Sequence, residues 1–227
     1  PPETEGNPQC RFGITSRFTP GDAVRIDAIT DDGQYHAWTE INVPQRPFEI
    51  ENVDTVTVPL AQSGYTTEYL RYRITINDRP NETNYYRIVI DKQTTLWGYN
   101  HEEGGDDYIY WTKHSYNFIG REDVVLTDGQ PTTGDDEDNG LFDTAKNIYG
   151  VFDDTRFRNT SYTMTVYNNT KIETGSDSGY FSGMDVIIRL MSITETEYYY
   201  LKALNLVDSD AYDETINEPI KYPSNVH

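Results

Sequence analysis

The chain reads as an all-β protein: an immunoglobulin-like N-terminal portion, then a larger antiparallel β-sandwich or partly closed barrel with one C-terminal helix packed on it. Three observations predict this. Runs such as YLRYRITI (69–76) and YYRIVIDK (85–92) alternate apolar and polar residues, and a period of two marks a strand covered on one face. Nineteen of the 227 residues are Tyr while only 36% of the chain is hydrophobic, so the core leans on aromatic bodies whose hydroxyls reach the rim, which suits sheets. Only TETEYYYLKALNLVD (194–208) carries convincing helix signals.

In order, AVRIDAI (23–29) and YHAWTEINV (35–43) flank Asp32 and Gly33; this turn pair predicts a β-hairpin. The stretch PQRP (44–47) breaks the pattern, because each Pro drives the residue before it into extended backbone. With VDTVTV (53–58) as a further short strand, the N-terminal portion covers 1–59 and the main domain 60–227. Residues 68–76 and 84–92 predict a second hairpin-like pair. Leu70, Tyr72, Ile74 and Ile76 share a face in the first run; Tyr86, Ile88 and Ile90 share one in the second. Residues 94–99 and 108–116 predict strands joined by a turn over 101–107.

The stretch TDGQPTTGDDEDNGLFD (127–143) has almost nothing to bury before Leu141 and reads as an exposed loop. IYGVF (148–152) re-enters the core, SYTMTVY (161–167) is a strand, and TGSDSGYFSG (174–183) is a flexible connection. A strand from Met184 then runs into the helix through a T-x-x-E capping box, Thr194 to Glu197. Tyr198, Leu201 and Leu204 should face the sheet, with Tyr200 and Val207 extending the stripe, and the strand should be central. Residues 209–227 read as an extended tail.

Eighteen Lys and Arg stand against 38 Asp and Glu, a net charge of −20, with no basic run. Nucleic acid and anionic lipid surfaces, which need a neutralising face, are excluded as partners. Cys10 is the sole cysteine, so no intrachain disulfide and no Cys-based zinc site can form. The chain opens on Pro1 and holds no apolar run of membrane-spanning length; a signal or anchor is expected upstream.

Two constellations carry chemistry. Trp97, Tyr99, Tyr108, Tyr110 and Trp111, with Glu102, Glu103, Asp106 and Asp107 nearby, are the materials of a ligand site: rings for the apolar faces of sugars, carboxylates for hydroxyls. The same residues also suit a hairpin with aromatic cross-strand pairs and a charged tip. Glycoside hydrolysis would require two carboxyls set across a cleft, which sequence spacing does not show. Asp135, Glu137, Asn139 and Asp143 resemble the first half of a calcium loop. Lys146 stands where an EF-hand needs its bidentate Glu, so a looser calcium site or a solvated acidic loop remains. His36, His101, His114 and His227 form no metal-binding pair, and no Ser sits in a nucleophile motif. No catalytic residue is assigned, and the chain is expected not to be an enzyme and to need no cofactor.

The order of segments resembles a family of exported lipoproteins from Bacteroidota, domain of unknown function 4249. The likeness is carried by Pro20, Gly21 and Asp22 before the first hairpin, and by NDRPNETNYYR (77–87). It continues in VFDD (151–154) with Phe157, Ser161 and Tyr162, in the junction from Ser192 to Leu204, and in the closing NEP (217–219) and YPSNV (222–226). The resemblance implies a lipid-bearing Cys upstream of Pro1, an outer-membrane location, and an accessory role beside a TonB-dependent receptor. Cys10 lacks a lipobox context and does not supply that anchor. The leading expectation is therefore a non-catalytic envelope lipoprotein that binds a ligand or partner. A glycan-active or carbohydrate-binding protein and a calcium-stabilised adhesin are the alternatives.

Overall fold

The structure, a computed structural model, describes residues 15–47, 49–62, 65–100, 107–120, 122–129, 147–170 and 180–208. Its strands are β1 (Ala23–Ile29), β2 (His36–Asn42), β3 (Asn52–Gln62), β4 (Tyr65–Asn77), β5 (Tyr85–Asn100), β6 (Asp107–Ser115), β7 (Val151–Asp153), β8 (Ser161–Asn169) and β9 (Tyr180–Ile193), followed by α1 (Glu195–Asp208). All pairings are antiparallel. One large sheet has the order β3-β4-β8; in the other, β5 pairs β6 and β7 on one side and β9 on the other. The two sheets face each other as a sandwich-like pair, and no barrel closes among the described residues.

The β1–β2 hairpin forms as expected around Gly33, whose φ of +71° suits the turn. It is a sheet of its own, and Ile26, Ile29 and Ile41 stay exposed. β3, which begins within 1–59 and runs on to Gln62, instead forms one edge of the first large sheet.

The alternation in β4 and β5 gives the right faces and the wrong partner. The two strands do not form a hairpin; they lie in opposite sheets and press Tyr72, Ile74 and Ile76 against Tyr86, Ile88 and Ile90. Met164 and Val166 of β8 and Phe152 of β7 complete this core. A period of two fixes which residues are covered, and a facing sheet covers them as well as a neighbouring strand would.

The corner between β4 and β5 is held by a buried polar network built from 77–87 and 151–159. Asp154 accepts bonds from the Asn84 backbone N–H at 2.8 Å, the Asn84 side chain at 3.1 Å and Arg158 at 3.1 Å. Asp78 accepts from the Tyr86 hydroxyl at 3.0 Å and the Asn159 N–H at 2.8 Å. Both carboxylates are buried, Asp154 completely. Burial and the adjacent Asp78 charge push the Tyr86 hydroxyl well above the ordinary tyrosine range, so it stays a donor. These two segments thus carry a structural joint.

Gly150, before β7, has a φ of +65°, and its carbonyl accepts the Ile88 N–H at 2.8 Å. A Cβ there would run into the Ile88 carbonyl. Gly150→Ala is therefore expected to cost about 2–4 kcal/mol, from left-handed backbone strain plus displacement of β7; urea unfolding reads this as a lower midpoint.

The helix docks as the Tyr198, Leu201 and Leu204 stripe predicts, against Val151 and Ile193. Thr194 caps it by accepting the Glu197 N–H at 3.1 Å. Tyr200 is exposed, outside the buried stripe. A second correction concerns the strand before the helix: among the described residues β9 pairs with β5 alone and is an edge. Its apolar run reflects cover from the core on one face and from α1 at one end, without a second neighbour.

Candidate functional site

Along β5, even-numbered residues from Tyr86 to Leu96 face the core and odd-numbered ones the outer face, as strand alternation requires. The outer face carries three zones. At one end Tyr85 packs on Tyr198 of α1, ring centroids 5.0 Å apart, and donates to Glu195 at 2.9 Å. In the middle lies Asp91. At the far end lie aromatic rings.

At that far end the Trp97 backbone is opposite Tyr110 of β6 and Tyr180 of β9. Its ring stacks on Tyr180 at 4.6 Å and 27°, and meets Tyr108 at 5.5 Å. Tyr108, Tyr110 and Tyr180 are 57%, 65% and 59% exposed, in contrast to the buried tyrosines of the core. Tyr99 pairs with Tyr108 through the backbone. Trp111 does not join this group. It is opposite Leu96 on the inner face, and its ring covers Gly98, where an added Cβ would stand 3.2 Å from it.

Tyr180 is the residue that the sequence reading misses. The Gly and Ser residues of 174–183 suggest a connection, yet β9 already begins at Tyr180. The adjacent pair Tyr180 and Phe181 was the available signal.

Asp91 is buried beneath its own partners: Gln93 donates at 2.8 Å, His114 Nδ1 lies 2.9 Å away and Arg189 reaches it at 3.4 Å. Burial alone would raise its pKa, but these bonds outweigh it and hold the carboxyl below the usual range. A depressed folded-state pKa means stability that is present above the unfolded value of about 4 and lost as pH falls through the folded one. The stability gap between the native chain and Asp91→Asn is thus expected to be widest near neutral pH and to close below about pH 4, followed by urea titrations at several pH values.

On the opposite sheet, Asn52, Asp54, Arg73, Thr75 and Thr163 line a shallow hollow of about 290 Å³. The calcium candidates Asp135, Glu137, Asn139 and Asp143 lie outside the described residues, as do Glu102, Glu103 and Asp106. Among the described residues no three His, Cys, Asp or Glu side chains gather to hold a metal, and no helix is long and apolar enough to cross a membrane.

The fold and this face define a class: a sandwich-like all-β protein with a helix docked at one end of an outer sheet face and open aromatic rings at the other. The sequence model of a family described as domain of unknown function (DUF4249) matches residues 3–227, and the chain belongs to that family. No curated protein and no solved structure matches it.

Proposed function

We propose that this chain is a non-catalytic binding protein of the cell envelope, an exported lipoprotein that serves a TonB-dependent outer-membrane receptor. Its ligand is a glycan or another molecule with flat apolar faces. The observation that carries the reading is the open aromatic face of Trp97, Tyr108, Tyr110 and Tyr180, three of whose rings are more than half exposed on one side of a rigid sheet. Exposed aromatic clusters of this kind mark interaction sites, and rings held by a sheet lose little freedom on binding. Asp91, the buried carboxylate on the same face, is occupied by Gln93, His114 and Arg189, which suits a structural role under a binding surface. The envelope location and the receptor rest on the segment pattern shared with exported Bacteroidota lipoproteins. A glycan array and a pull-down on outer-membrane receptors test the proposal; both blank at high protein concentration overturns it.

A further inference from the structure

β9 is a long edge strand of an unusual kind. Its sequence, YFSGMDVIIRLMSI, contains no Pro and only two charges, Asp185 and Arg189. Natural edges are blunted, because the unpaired N–H and C=O groups of an apolar strand invite another strand to pair. The other sheet shows this: β3 carries Pro59, and β8 is covered by 117–120 and 122–126. In that cover Ile119 bridges to Tyr167 and Asp123 accepts the Thr165 N–H at 2.8 Å. No such cover lies along β9 among the described residues, and a Cβ on Gly183 would meet nothing within 4 Å.

The core is also open on this side. Ile88 and Ile90 of β5 are fully buried, whereas Val186, Ile188 and Leu190 beside them on β9 are only partly covered.

The positions of the two charges identify an occupant. Asp185, Ile187 and Arg189 lie on one face, opposite Gln93, Asp91 and Val89, and all three are exposed. The Asp185 carboxylate makes no hydrogen bond or ion pair among the described residues. The charges stand two residues either side of Ile187. If a second β9 pairs antiparallel with the first about a two-fold axis at Ile187, each Asp185 falls directly opposite the other copy's Arg189. Cross-strand pairs of opposite charge in this position are favourable, and a two-fold contact satisfies both at once.

We infer that two copies of this chain join edge to edge through β9, in antiparallel register centred on Ile187, to make one continuous sheet across the dimer. Val186 of each copy then lies beside Ile188 of the other and closes the open side of the core. The same register sets Tyr180 next to the start of α1 in the second copy, so the aromatic face continues across the dimer.

Analytical ultracentrifugation of the whole chain across the micromolar range should show the mass of two chains. Ile187→Lys places two ammonium groups opposite each other at the centre. Because Ile187 is exposed, the monomer should keep its melting temperature while the dimer dissociation constant rises at least about tenfold. Register is read by cross-linking in a Cys10→Ser background: Ile187→Cys should oxidise to a covalent dimer, because the two thiols face each other. Ser182→Cys should not, since its two copies would be roughly 33 Å apart along the strands. A monomer at every concentration, or equal cross-linking of both variants, overturns the inference. The glycan and receptor tests are read separately and stand or fall without it.

Discussion

Replacing Asp154 with alanine is expected to cost about 3–5 kcal/mol, the largest loss of any single change outside the apolar core. The carboxylate is completely buried and takes two bonds from Asn84. Removing it leaves the Asn84 backbone N–H without its acceptor in a buried corner and takes one bond from the Asn84 amide, which keeps Asp78 and the Arg79 carbonyl, and the desolvated N–H dominates the loss. The Arg158 contact contributes little, because Arg158 is 44% exposed. Asp154→Asn keeps an oxygen for the Asn84 N–H and should lose less, whereas Arg158→Ala should be nearly neutral. Urea unfolding of the three variants checks the order; an Arg158→Ala loss as large as that of Asp154→Ala would show that charge, and not satisfaction of Asn84, holds the corner.

Trp97→Ala is expected to weaken ligand binding by about 30-fold or more, the effect of removing a central aromatic anchor worth about 2 kcal/mol. Trp97 holds Tyr180 by stacking and also meets Tyr108, so its loss disorders the platform beyond the missing ring. Trp97→Phe should retain most of the affinity. Trp111→Phe, on the inner face, should change stability more than binding. Titration of the array-positive ligand by calorimetry separates these outcomes, and equal losses for Trp97→Ala and Trp111→Phe would displace the site from the outer face.

Local signals were read correctly wherever one residue decides the geometry. Gly33 makes its turn and Thr194 caps its helix. The faces of β4 and β5 follow their alternation. What the sequence does not carry is which strand meets which. β4 and β5 are adjacent in the chain and each bury one face, a pattern that a hairpin and two facing sheets satisfy equally. Pairings such as Tyr85 with Ile193 span more than a hundred residues, and no local pattern announces them. For the aromatic site, membership of Trp111 could have been settled from the sequence. It follows Tyr110 directly, and neighbours on a strand point to opposite faces. Tyr180 could not, because its contact with Trp97 depends on the β5–β9 register.

That long-range pairing also sets the order of assembly. The β3–β4 and β5–β6 pairs join neighbours in the chain, but β8 and β9, which complete the two sheets, come from the last third of the described sequence. Until they emerge, Ile74 and Ile90 have no finished layer around them. Closing loops of about a hundred residues is slow compared with making a hairpin. If the chain is exported as proposed, it would therefore still be threadable when most of it had been made, and would lock into shape only after its final strand cleared the far side.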